Sequence, residues 1–110
     1  MVALVIGNNN YGESSLKNAL NDAKAVKKAL ETQNVKVFFI YDGDIVALKA
    51  KFKEYVNYLQ KGDAAIVYFA GHGVEYNNAL RIMASYESAE EADYKEGSLN
   101  MHVLIDRLAT

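Results

Sequence analysis

A chain of 110 residues with 51% hydrophobic and 24% charged content has ordinary globular composition, and its length allows one domain. A net charge of -2, with no lysine or arginine cluster interleaved with aromatics, argues against nucleic-acid binding, and no apolar run approaches the roughly 18 residues of a membrane span. Cysteine is absent, which removes disulfides, thiolate metal sites and any cysteine nucleophile from these residues; proline is absent too, leaving turns to glycine, asparagine and aspartate.

Met1 leads directly into the apolar run Val2-Ala3-Leu4-Val5-Ile6 without a basic leader or cleavage site, and a cytoplasmic location is expected. That run is a strand ending at Gly7, followed by a polar loop over residues 8–14. Asn18 or Asn21 can cap a helix in which Ala23, Val26 and Leu30 recur at helical spacing while Lys24, Lys27 and Lys28 face outward; it runs to about Thr32. Residues 35–41 form a second strand closed by Asp42-Gly43. Asp44 caps the next helix, with Leu48, Phe52, Tyr55 and Leu59 as its apolar stripe and Gly62 as its stop. Residues 64–70 make a third strand. The acidic stretch 87–97 reads as a solvated loop, and Ser98 opens a last helix with Met101, Leu104, Ile105 and Leu108 on its buried face. Strands alternating with helices predict an α/β fold with a mostly parallel sheet and the strand-exit loops along one carboxyl edge, where ligands bind; if the first strand is central (order 2-1-3, helices on both faces), its exit loop and that of the third strand flank the crevice.

At that edge Ile66-Val67-Tyr68-Phe69-Ala70-Gly71-His72-Gly73 delivers a histidine between two glycines from what reads as a buried strand. Gly71 and Gly73 leave the backbone open to an approaching ligand. A histidine in a tight turn with no chemistry is the plain alternative. Asp22, near the start of the first helix, is either a partner for the helix dipole or a carboxylate able to bind a cationic substrate group beside the same crevice. The loop from Gly7 to Ser14 has the glycine spacing of a phosphate cradle, but Glu13 stands where the lysine would be and repels phosphate. A response-regulator reading fails for want of an acceptor aspartate after the third strand. Two distant histidines and scattered acids do not make a metal site, so neither metal nor cofactor is expected, and His102 reads as a surface or boundary residue. The eight tyrosines fall mostly in strands and on helix stripes as core and boundary residues.

Three blocks in this order, Ala3-Leu4-Val5-Ile6-Gly7-Asn8 with Asn10-Tyr11, residues 16–26 with their Asn-Asp-Ala step, and Tyr68-Phe69-Ala70-Gly71-His72-Gly73, resemble the caspase-like cysteine peptidases, a group that includes metacaspases. The likeness is greatest to the paracaspases and bacterial caspase-like proteins. It implies a three-layer caspase-like fold. It also implies that His72 assists a cysteine thiolate and protonates the leaving amine, that the Gly73 N–H serves the oxyanion hole, and that Asp22 lines an S1 pocket selecting arginine or lysine. Family members that cut after aspartate use arginine in that pocket, and residues 8–15 contain none, so the implied substrate is a protein or peptide with a basic P1 residue.

In the family the nucleophile follows the next strand. The 110 residues are therefore expected to be the amino-terminal portion of one truncated domain, inactive alone. Ala19 stands where relatives often carry proline, Met83-Ala84-Ser85-Tyr86 replaces a proline-valine-aspartate step, and Ser98-Leu99-Asn100 lacks the acidic pair of calcium-dependent metacaspases. The alternative reading is a catalytically dead interaction module, a homo-oligomer or strand-swapped dimer pairing through its third strand.

Overall fold

The computed structural model of the chain describes residues 1–12, 15–60, 62–76, 79–84 and 98–100. In chain order they form β1 (Val2–Gly7), α1 (Ala19–Thr32), β2 (Lys36–Tyr41), α2 (Ile45–Tyr58), β3 (Ala65–Ala70), β4 (Gly73–Tyr76), β5 (Ala79–Met83) and β6 (Ser98–Asn100). The first, second and third strands make a sheet that is parallel, as the alternation of elements requires, in the order β2-β1-β3, and the remaining three make an antiparallel sheet in the order β4-β5-β6.

β1 is central, and all six of its residues are buried, which explains its unbroken apolar sequence. Alternate side chains serve opposite faces. Val2, Leu4 and Ile6 pack with Phe38, with Leu48, Phe52 and Tyr55 of α2, and with Ile82, Ala84 and Leu99 of the small sheet and its exit. Ala3 and Val5 pack with Ala23 of α1 and with Val35, flanked by Val26 and Leu30. Each of the larger aliphatic side chains contributes about 1.5–3 kcal/mol by leaving water. The layers are thus α1, the parallel sheet, and α2 with the small sheet.

α2 begins as its sequence indicates, with the Asp44 carboxylate accepting from the Ala47 N–H at 2.9 Å. Tyr55, fully buried, donates its hydroxyl to the Val2 and Ile66 carbonyls at 3.1 and 3.2 Å and so ties the helix to two strands. Burial raises its phenol pKa above the ordinary value of 10, against the opposing effect of the Ile66 hydrogen bond. Lys24 and Lys27 of α1 lie over the rings of Tyr41 and Phe39 on one face of β2, and Lys36 lies over Phe38 and Tyr58 on the other, at 5.4–6.0 Å.

Three expectations need correction. β3 is only half buried, with Ala65 exposed, because among the described residues it pairs on one side only, with β1. Gly62, at φ +96°, does not stop α2, which ends at Tyr58. It serves a separate turn in which Asp63 N–H donates to the Gln60 carbonyl and the Asp63 carboxylate accepts from the Gln60 N–H. Ser98 opens no helix: it starts β6, pairs with Met83 of β5, and its hydroxyl accepts from Arg81 Nε at 2.6 Å, so it is engaged in the sheet rather than available as a cap. Residues 87–97, Met101, His102, Leu104, Ile105 and Leu108 lie outside the described residues. No helix among the described residues is long and apolar enough to cross a membrane.

Candidate active site

The three parallel strands end level, Gly7 opposite both Tyr41 and Ala70, so their exit loops leave from one edge. Backbone bonds continue past the strands: Asn8 N–H donates to the Ala70 carbonyl at 2.9 Å and Asp42 N–H to the Gly7 carbonyl at 3.0 Å. The edge is therefore stitched where a ligand would sit.

The loop after β1 is organised by its asparagines. Asn9 Oδ1 accepts from the Leu20 N–H at 3.0 Å, capping α1 from eleven residues away, while Asn18 occupies the N-cap position without a side-chain bond. Asn18 thus holds the N-cap position that the sequence offers, but the side chain that does the capping is Asn9's, and Asn21 lies inside the helix. Asp42, held at φ 49°, presents one carboxylate oxygen to two successive backbone donors, Asn9 N–H at 2.7 Å and Asn10 N–H at 2.9 Å. Those are the donors that a phosphate cradle would offer, and an internal carboxylate takes them. Asn8 is buried; its Nδ2 donates to the Met83 carbonyl at 3.1 Å, while its Oδ1 has no hydrogen-bond partner.

His72 leaves the end of β3 half-buried, with both backbone groups held. Its N–H donates to the Tyr11 hydroxyl at 3.1 Å and its carbonyl accepts from the Met83 N–H at 3.0 Å. The Tyr11 hydroxyl in turn donates to the Met83 carbonyl at 3.0 Å, and the Tyr11 and His72 rings lie 4.4 Å apart at 54°. Gly71 owes its identity to this contact, since a Cβ there would lie 2.5 Å from the Tyr11 hydroxyl and 2.7 Å from the Phe69 ring. The close approach comes from the chain itself rather than from a ligand.

Gly73 opens β4 opposite Ile82. Because Met83 N–H donates to His72 O, the Gly73–Ile82 pair is a non-hydrogen-bonded one, in which both backbone N–H groups point away from the partner strand. The β4–β5 ladder therefore leaves the Gly73 donor unused. Asp22 stands exposed in the first turn of α1, its N–H donating to the Asn18 carbonyl. α1 is pressed on the end of β1: a Cβ at Gly7 would come within 2.6 Å of Ala23 Cβ. Asp22 and His72 thus belong to elements that meet the same sheet edge. Among the described residues no group of three or more histidines and acids stands together as a metal site.

A half-buried histidine on a doubly fixed backbone, next to an N–H turned away from its partner strand, has the chemistry for proton transfer and anion binding. The caspase domain profile matches residues 1–109. The chain belongs to the caspase domain family. No curated protein matches it. Membership makes this a caspase-like peptidase domain, a kind that acts on proteins, and its sequence holds no cysteine. The site residues that local sequence patterns miss are Tyr11, Asp42 and Met83, each of which acts through a partner more than 30 residues away.

Proposed function

We propose that these residues form one domain that supplies the histidine half of a cytoplasmic caspase-type cysteine endopeptidase, cutting protein or peptide chains after arginine or lysine, without metal or cofactor. His72 is the general acid–base, the Gly73 N–H binds the oxyanion, and Asp22 pairs with the basic P1 side chain. The thiolate comes from sequence outside these 110 residues, so the chain alone is inactive. The observation that carries this reading is the half-buried His72 at the carboxyl edge, its backbone fixed on both sides, beside a Gly73 N–H that the ladder leaves unused. Asp22, exposed at the start of the adjoining helix, supports the basic specificity.

The test is to join the chain to a cysteine-bearing strand of the family and assay arginyl and aspartyl peptides. Arginyl cleavage that is abolished by His72→Ala and lost selectively by Asp22→Asn is expected. A folded, completed domain that is inactive, or indifferent to His72→Ala, refutes the peptidase reading.

A second reading, a non-catalytic module pairing through β3, is favoured by one feature: β3 is half-exposed along its length while β1 beside it is fully buried. It predicts a homo-oligomer or strand-swapped dimer, and a single monomeric species in light scattering at high concentration would exclude it.

A further inference from the structure

We propose that Tyr11 is the positioning residue of the His72 imidazole. The inference rests on the peptidase reading of His72 but is decided by a separate measurement. Tyr11 is fully buried, whereas His72 is half-exposed. The rigid member of the pair therefore carries the accessible one. One hydroxyl performs two tasks, accepting from His72 N–H at 3.1 Å and donating to the Met83 carbonyl at 3.0 Å. The Tyr11 N–H is fixed in turn by Ser15 Oγ at 3.0 Å. The ring above this hydroxyl packs against the imidazole at 4.4 Å, covering one side of it and removing the rotamers that would swing it through that space. A catalytic imidazole displaced by about 1 Å loses on the order of 100-fold in rate, so this constraint belongs to the chemistry as well as to the fold.

The two contributions of Tyr11 separate. In Tyr11→Phe the Met83 carbonyl keeps its second donor, Asn8 Nδ2, and the His72 carbonyl keeps the Met83 N–H; the group released is the His72 N–H. In Tyr11→Leu the ring contact is lost as well. Proton NMR of the 110-residue chain reads both events without any cysteine being present. Tyr11→Phe should retain the ring-current displacement of the His72 imidazole C–H resonances while its amide exchanges about tenfold faster or more, as expected for one lost hydrogen bond of ordinary strength. Tyr11→Leu should abolish the displacement.

In the domain completed with a cysteine strand, Tyr11→Leu should lower kcat about 10–100-fold with KM unchanged, and Tyr11→Phe should lie between it and the parent. Imidazole resonances unmoved by Tyr11→Leu in a folded chain overturn the proposal, as does a parent-like kcat in both variants. If the completed parent itself cleaves nothing, the peptidase reading fails, and the NMR comparison still decides whether Tyr11 holds the ring.

Discussion

Gly7→Ala tests how closely α1 is seated on the end of β1. The added Cβ would lie 2.6 Å from Ala23 Cβ and 3.3 Å from the Ala19 carbonyl oxygen, where carbon atoms in good contact keep about 3.5–4.0 Å. About 1 Å of movement is needed, and neither partner is a flexible side-chain tip: one is a Cβ and the other is backbone. Overpacking of this kind costs about 1–3 kcal/mol, offset in part by the roughly 0.4–1 kcal/mol that alanine gains by restricting the unfolded chain. A net loss of about 1–2 kcal/mol corresponds to a fall in Tm of about 4 °C or more per kcal/mol. Ala23→Gly alone costs about 1–2 kcal/mol, from helix propensity and a lost buried methyl. The double variant removes the clash and should be no worse than Ala23→Gly, giving a favourable coupling of about 1 kcal/mol or more in urea denaturation. Additive losses, or a Gly7→Ala chain more stable than its parent, would refute the argument and with it the tight coupling between β1 and the helix that bears Asp22.

Tyr55→Phe should cost about 0.5–1.5 kcal/mol near neutral pH, through the hydroxyl shared by the Val2 and Ile66 carbonyls. Because burial raises the phenol pKa, the folded state holds the proton more tightly than the unfolded one. This contribution is full below about pH 10 and is lost as pH rises through 10 and on to the higher folded value, so urea midpoints measured up to about pH 11 should fall less in Tyr55→Phe than in the parent. Asp42→Ala removes the carboxylate from the Asn9 and Asn10 N–H groups and places a β-carbon residue at φ 49°; a loss of about 2–4 kcal/mol is expected. Asp42→Gly should recover about 1 kcal/mol of this by relieving the backbone, and Asp42→Asn, which keeps an acceptor and tolerates the conformation, should recover more. Thermal melts of the three variants that fail to rank in this order would count against the role given to Asp42.

The β-α-β-α-β frame is legible because each signal is local. Val2 to Ile6 form an unbroken apolar run; Leu48, Phe52 and Tyr55 repeat at helical spacing; Asp44 lies three residues before the N–H it caps. His72 was visible for the same reason, as the residue following an apolar strand between glycines. What escaped the sequence is contact at a distance. Nothing near Leu20 indicates that Asn9 caps it, and nothing near Gly71 indicates that Tyr11 excludes a side chain there. Ser98 misled because serine before a periodic apolar stretch fits an N-cap as well as a strand. The Arg81 guanidinium and the pairing with Met83 put it in the sheet, and neither lies close to it in sequence.

The lysines over the rings of β2 give the sheet an asymmetry. Lys36 stands exposed on β2, and its ammonium group, with those of Lys24 and Lys27, rests on four aromatic rings; charged lysines on an outer strand discourage pairing with another chain. Among the described residues no such cation lies over the rings of Ala65–Ala70. Of the two outer strands of the parallel sheet, β3 is therefore the less guarded against a neighbouring backbone.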